Sequence, residues 1–180
     1  ASIINATTSN GVQTTADNSG ILQLQSNGTT IATISSTGVS TQVGAPAFSV
    51  YLNSSQTLSS NTFTKIQLNA KEYDTASAFD TTTNYRFTPT VAGYYQINCG
   101  FRLDLSGTEG FLDLYKNGSQ TKHFFDIIAT QYGLGGSALV YANGTTDYFE
   151  MYYYQNSGSS KTSDYSIYDT YFQGFLARSA

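Results

Sequence analysis

The chain is poor in the residues that most often carry chemistry. In 180 residues it has one cysteine, one histidine, one methionine, two prolines and no tryptophan. With Cys99 alone, no disulfide can form within the chain. Cys99 lies in an apolar, strand-like run and reads as a small buried hydrophobe. A reactive thiol needs a nearby cation or helix terminus, and the flanking sequence offers neither. One His and one Cys exclude the usual zinc sites. His123, beside Phe124 and Phe125, reads as a strand residue rather than a base or a ligand. No P-loop, dinucleotide fingerprint or nucleophile elbow occurs, and nothing singles out a carboxylate pair for glycoside cleavage. The expectation is a protein that is not an enzyme and uses no cofactor.

Charge is scarce as well. Charged residues make up 11% of the chain and the net charge is −4, which points away from nucleic acid and anionic membrane as partners. No apolar run approaches the roughly 20 residues a membrane-crossing helix needs. The opening ASIINATTSN lacks a charged n-region and an apolar h-region, so it does not read as a signal peptide, and Ala-Ser fits loss of an initiator Met in a cytoplasmically made protein. Sequons at Asn5, Asn27, Asn53, Asn117 and Asn143 matter only in a secretory pathway.

What is abundant is aromatic and small polar. Fifteen Tyr and eleven Phe stand in a background of Thr, Ser, Asn and Gly, a composition suited to pleated, half-buried surfaces. The length fits one domain with an appendage, large enough to bury roughly 70% of its unfolded surface. The text changes character near Pro46. Residues 1–44 are polar, with one hairpin pattern, ILQLQ-SNGT-TIATIS, in which Leu22 and Leu24 alternate with Gln, Asn27-Gly28 turns the chain, and Ile31 to Ile34 returns. An isolated hairpin is marginal in water. It therefore leans on its own domain, on identical neighbours or on a larger host surface.

Residues 45–180 read as a succession of short strands. FSVYL (48–52) alternates, and FTKIQLN (63–69) offers Phe63, Ile66 and Leu68 as core. KEYDTASAFDTTTN reads as a polar connection, NYRFTP as a strand ended by Pro89, and GYYQINCGFRLDL (93–105) as the longest strand. FLDLYKNGSQTKHFF is a hairpin about Asn117-Gly118, and LGGSALVYANGTTDYFEMYYYQ gives two strands about a further turn at Asn143-Gly144. NSGSSKTSDYS reads as a flexible loop and TYFQGFLA as the closing strand. Within 148–154, Phe149, Met151 and Tyr153 are expected to face the core while Tyr148, Glu150, Tyr152 and Tyr154 share the other face. The fold class expected is all-β, an antiparallel jelly-roll sandwich preceded by a small N-terminal β-hairpin segment.

Several motifs carry a resemblance. Phe79-Asp80, Phe87-Thr88-Pro89, then Val91, Gly93, Tyr94 and Tyr95, the Lys116–Gly118 turn, and Phe172-Gln173-Gly174-Phe175-Leu176 occur in this order. Together they resemble the globular head of complement subcomponent q and its tumour necrosis factor relatives, and they span residues 46–177. No collagen-like Gly-X-Y stalk accompanies them, which argues against a complement-type role. The resemblance implies a homotrimer. The surface-contact or trimer-interface candidates are Tyr148, Tyr152, Tyr154 and Tyr171. The SGILQLQSNGTTIATISSTGV run resembles segments ahead of globular tips in bacteriophage fibre and virion-surface proteins.

Two readings of function follow. In the first, the chain is a trimeric virion structural protein, a capsid decoration or head fibre, that docks to other virion proteins through Leu22, Leu24, Ile31 and Ile34 and presents its head outward. In the second, it is a receptor-binding tail-fibre tip or adhesin that recognises a host surface glycan through loops such as Ser106–Gly110 or Asn156–Asp164. Aromatic faces and hydroxyls suit glycans. Asp104, Glu109 and Asp113 lie around a Gly-rich loop and are the calcium candidates, although their spacing is not that of an EF-hand.

Overall fold

A computed structural model describes residues 1–42, 44–103, 109–128 and 133–180; of Gln42, Ile127 and Ile128 the backbone alone is described. The chain divides into two units, Ala1–Ala45 and Pro46–Ala180.

The first unit is a single five-stranded sheet. Its strands are β1 (Ser2–Thr7), β2 (Gly11–Thr15), β3 (Leu22–Ser26), β4 (Thr29–Ile34) and β5 (Ser40–Gln42), in the order β2-β1-β3-β4-β5. The expected hairpin is β3–β4. Asn27 and Gly28 both take positive φ, 48° and 81°, the pair a two-residue turn needs to match the twist of its strands. The sequence pattern missed β1, β2 and β5: their Thr, Ser and Asn content reads as loop, yet backbone ladders tie them to the hairpin, with β1 and β3 running parallel. The hairpin is thus the middle of a sheet.

The second unit is a two-sheet sandwich. Its strands are β6 (Ala47–Tyr51), β7 (Thr57–Leu58), β8 (Thr64–Lys65), β9 (Ala70–Asp74), β10 (Phe79–Asp80), β11 (Arg86–Phe87), β12 (Gly93–Arg102), β13 (Glu109–Lys116), β14 (Ser119–Ile128), β15 (Gly133–Ala142), β16 (Phe149–Gln155), β17 (Lys161–Thr162) and β18 (Tyr171–Ser179). One sheet runs β15-β12-β18-β6-β9; the other runs β10-β11-β16-β13-β14, with β8 beside β16. Alternating residues of both sheets meet between them. Phe48 stacks on Phe87 with centroids 4.1 Å apart, and Phe101 meets Tyr153 at 4.4 Å. Phe149, Met151 and Tyr153 face inward as their alternation requires. Cys99 is buried there too, and burial pushes its thiol up to about 12, so it stays a protonated hydrophobe.

Four expectations need correction. The segment read as a polar connection holds β9 and β10. β9 is an edge strand whose Lys71, Glu72 and Asp74 serve hydrogen bonds and ion pairs, so no apolar alternation marks it. Within 63–69 only Thr64–Lys65 pairs with β16; Ile66 and Leu68 are buried, whereas Phe63 lies on the outer surface. The turn at Asn143-Gly144 joins no hairpin, because β15 and β16 belong to different sheets. Asn143 Oδ1 instead accepts from the N–H groups of Thr145, Thr146 and Asp147, shaping a crossover. The supposedly flexible loop contains β17, which pairs with β7.

Candidate functional site

The interior of the head is filled by packing, and each of its two sheets presents an outward face. They differ in kind.

On the β15-β12-β18-β6-β9 sheet, register places Tyr94 beside Tyr141, and Gln96 between Leu139 and Phe175. Tyr94 and Tyr141 meet edge to face with centroids 5.5 Å apart. Leu139 is 53% exposed and Phe175 49%. Tyr73 is half-exposed at the β9 edge, opposite Ser49. Tyr171 belongs to this face, because its ring crosses Gly100, where a Cβ would come within 2.5 Å of it. Among these residues none carries a charge.

On the β10-β11-β16-β13-β14 sheet, the outward residues are Phe111, Asp113 and Tyr115 of β13 and Glu150, Tyr152 and Tyr154 of β16. Phe63 joins them, 5.0 Å from Tyr154 and 6.4 Å from Phe111, centroid to centroid. Tyr115 stacks on Tyr152 at 4.0 Å. Beneath the rings lie two carboxylates. Glu150 holds Lys65 at 2.8 Å, and Asp113 accepts from Gln120 Nε2 at 2.8 Å and meets His123 Nδ1 at 2.5 Å. Burial pushes the Asp113 carboxyl up, against the pull of His123 and Gln120. Tyr148 lies ahead of β16, with the Arg86 guanidinium 4.2 Å above its ring.

The tyrosine set read from the sequence is therefore split. Tyr152 and Tyr154 share the second face, Tyr148 stands at its end, and Tyr171 lies on the first. Sequence reading missed Tyr94, Leu139, Tyr141 and Phe175. Their alternation is visible in the sequence, but only the pairing of β12 with β15 and β18 brings them together. Phe63 and Phe111 were missed because they lie outside the tyrosine-rich run.

The calcium candidates do not assemble. Asp104 lies outside the described residues. Glu109 accepts from Asn156 Nδ2 at 2.9 Å, while Asp113, four residues along the same strand and so roughly 13 Å away, is buried against His123. Among the described residues no group of three or more His, Cys, Asp or Glu could hold a metal. Of the two loops, 106–108 lies outside the described residues, and Asn156–Asp164 is partly tied down by β17. A polar cleft of about 430 Å³ opens beside Leu52, Ser54, Gln56 and Asn69. Two of its amides are already engaged: Gln56 with Lys65 O and Gln67 N–H, Asn69 with Asn53 N–H and Ser54 Oγ.

In the N-terminal sheet, register aligns Ile4, Leu24 and Ala32, with Leu22 opposite Ile34, and Ala6 opposite Val12. These form one aliphatic face. Ile31 is left without a cross-strand partner by the register shift after Leu24, so it departs from the row of the other three docking candidates. No side chain of residues 1–41 is fully buried.

No protein-family model and no curated protein matches the chain. Solved structures do match. The globular domain of zebrafish complement 1qA protein is similar over 76% of this chain and 99% of its own, with a TM-score of 0.54 and 20% identity. Eiger TNF from S. frugiperda covers 76% of this chain and 94% of its own, at TM-score 0.56 and 10% identity. PRD1 vertex protein P5 covers 74% and 97%, at TM-score 0.51 and 14% identity. The head has the complement C1q/TNF-like jelly-roll fold.

Proposed function

We propose that the chain is a non-enzymatic structural protein of a bacteriophage particle, trimeric through its head and attached to other virion proteins by its N-terminal sheet. The observation that carries this reading is the uncovered aliphatic face of that sheet. Ile4, Val12, Leu22, Leu24 and Ile34 line one side of a single layer, and Val12 is 70% exposed. A sheet with one apolar face is stable when a second layer covers it, and a bare apolar patch marks a contact surface. The edge strand β2 is exposed throughout and carries no Lys, Pro or other charge to discourage pairing. Asp17 is the only charged side chain in the unit, so a neutral protein surface suits it.

The trimer rests on the first outer face of the head. Tyr94, Leu139, Tyr141 and Phe175 form an uncharged aromatic and aliphatic surface of the kind found at the centre of protein interfaces. The fold likeness to PRD1 vertex protein P5 supports a place on a particle.

Two measurements test this. Light scattering of the full chain is expected to give three times the chain mass, and the Leu139→Glu, Phe175→Glu double variant a monomer with an unchanged circular dichroism spectrum. Particles produced without the protein are expected to bind the added wild-type chain and carry it down in a sedimentation assay, whereas the Leu24→Glu, Ile34→Glu variant stays in solution. Attachment of that variant at wild-type level would overturn the docking assignment, and a monomeric wild type the trimer.

A further inference from the structure

The second outer face of the head joins ring surfaces to open hydrogen-bonding groups, and we propose that it is a binding site for a neutral carbohydrate. Phe63, Phe111 and Tyr154 form its apolar floor, with Phe111 and Tyr154 stacked at 5.2 Å and Phe63 38% exposed. The Tyr154 hydroxyl donates to Asn61 Oδ1 at 3.2 Å, which holds this ring in place. The C–H faces of a sugar ring pack against the electron-rich faces of such side chains.

Polar groups surround the floor. The hydroxyls of Tyr115 and Tyr152 have no partner among the described residues. Asp113 fixes the imidazole of His123 through Nδ1, and the ring edge is half-exposed, so Nε2 is left for a ligand. Phe111 and His123 stand 5.3 Å apart, which sets that nitrogen at the border of the floor. Asp126 pairs in register with Phe111 and is exposed, with no ion pair among the described residues. A few convergent polar groups over an apolar base are what a small-molecule site requires.

The charge pattern selects the ligand class. Lys65, two residues from Phe63 and paired in register with Tyr152, is held by Glu150 at 2.8 Å. What remains open can accept: the Asp126 carboxylate, His123 Nε2 in the tautomer whose Nδ1–H donates to Asp113, and the phenol oxygens, whose O–H groups also donate. A neutral carbohydrate brings many O–H donors and no anion. An acidic sugar would meet Asp126 without a free cation to offset the repulsion. A second copy of the chain is better served by the opposite face, where Tyr94, Leu139, Tyr141 and Phe175 make a more apolar surface. The proposal stands apart from particle attachment and does not depend on it.

The test is titration calorimetry on the full-length wild-type chain with cellotetraose, maltotetraose and chitotetraose, and with sialyllactose as the acidic control. At least one neutral oligosaccharide is expected to bind and sialyllactose is not. Phe63→Ala and Phe111→Ala should each weaken binding roughly tenfold. Tyr152→Phe, which removes a hydroxyl and leaves the packing intact, should weaken it several-fold. Tyr168→Ser, at an 88% exposed tyrosine that belongs to neither face, should leave it unchanged. Silence from all three neutral probes overturns the proposal, as does binding that survives both Phe63→Ala and Tyr152→Phe, or a preference for sialyllactose. Particle sedimentation is unaffected by any of these outcomes, so failure here and failure of docking are separately visible.

Discussion

The N-terminal sheet and the head share a polar background and a strand pattern, yet only the head, which holds all the Tyr and Phe of the chain, closes a core. Both are rich in Thr, Ser and Asn, both place apolar residues at alternate positions, and both turn a hairpin on Asn-Gly at positive φ, Asn27-Gly28 and Asn117-Gly118. In the head, Ile97, Leu112, Leu114 and Met151 are fully buried because two sheets face each other. In the N-terminal unit, Leu22, Leu24 and Ile34 follow the same rule of alternation, yet Leu22 is only half-buried and Leu24 and Ile34 stay exposed, because the unit is one layer. Strand pattern decides which side a residue takes; the second layer decides whether that side is a core or a contact surface.

The comparison breaks first if a core residue and a sheet residue cost the same. Phe172→Ala empties a fully buried site among Phe48 and Phe79 and is expected to cost about 3–5 kcal/mol in urea unfolding. Leu24→Ala should change the same measurement by no more than about 0.5 kcal/mol. A loss of several kcal/mol at Leu24 in the isolated chain would mean that its face is already covered by another copy.

A smaller contrast comes from two glycines at positive φ. Gly144, at 73°, has the Ala92 backbone nitrogen 2.4 Å from where a Cβ would stand. Gly38, at 83°, has nothing within 4 Å. Gly144→Ala is expected to lower stability by more than about 1 kcal/mol, since strain and collision add. Gly38→Ala carries the strain alone and should cost less. Equal melting temperatures for the two variants would show that the crossover between the sheets yields easily.

Much of the head was legible from its residues. The run Gly93–Arg102 alternates cleanly, Asn117-Gly118 marks its hairpin, and Phe149, Met151 and Tyr153 announce an inward row. What could not be read is where polar chemistry substitutes for apolar pattern. β9 is held by Glu72 accepting from Ser49 Oγ at 2.7 Å, and β1 by backbone ladders, so neither shows a hydrophobic signature. The faces were harder still. Tyr171 and Tyr152 look alike in sequence, and only strand order sends one to each side of the sandwich. The partnership of Asp113 with His123 crosses the β13–β14 hairpin through a register shift after Leu112, which no spacing rule anticipates.

The smallest expected effect separates the two units by acid. Backbone N–H groups of Thr82, Thr83 and Asn84 hold Asp80 well below the usual carboxylate range, and Ser166 together with Arg102 lowers Asp169. Such groups stabilise the folded head fully above the unfolded value of about 3.9, and that contribution is lost as pH falls through their lower folded values. Asp113, pushed up by burial, acts with the opposite sign: its contribution is present below that unfolded value and is lost as pH rises through its folded one. The lowered groups also include Asp74 and Asp147 and outnumber it, so the head should melt earlier at pH 3 than at pH 6. Asp80→Asn should lower the melting temperature at pH 6 and make less difference at pH 3, where the wild-type carboxylate starts to lose its advantage. The N-terminal sheet has Asp17 as its only side-chain charge, so hydrogen exchange across β3 and β4 should change less over the same interval than exchange in β12 and β18. A loss of protection, corrected for the intrinsic exchange rate, in β3 and β4 at pH 3, in step with the head, would show that the sheet depends on the head for its stability.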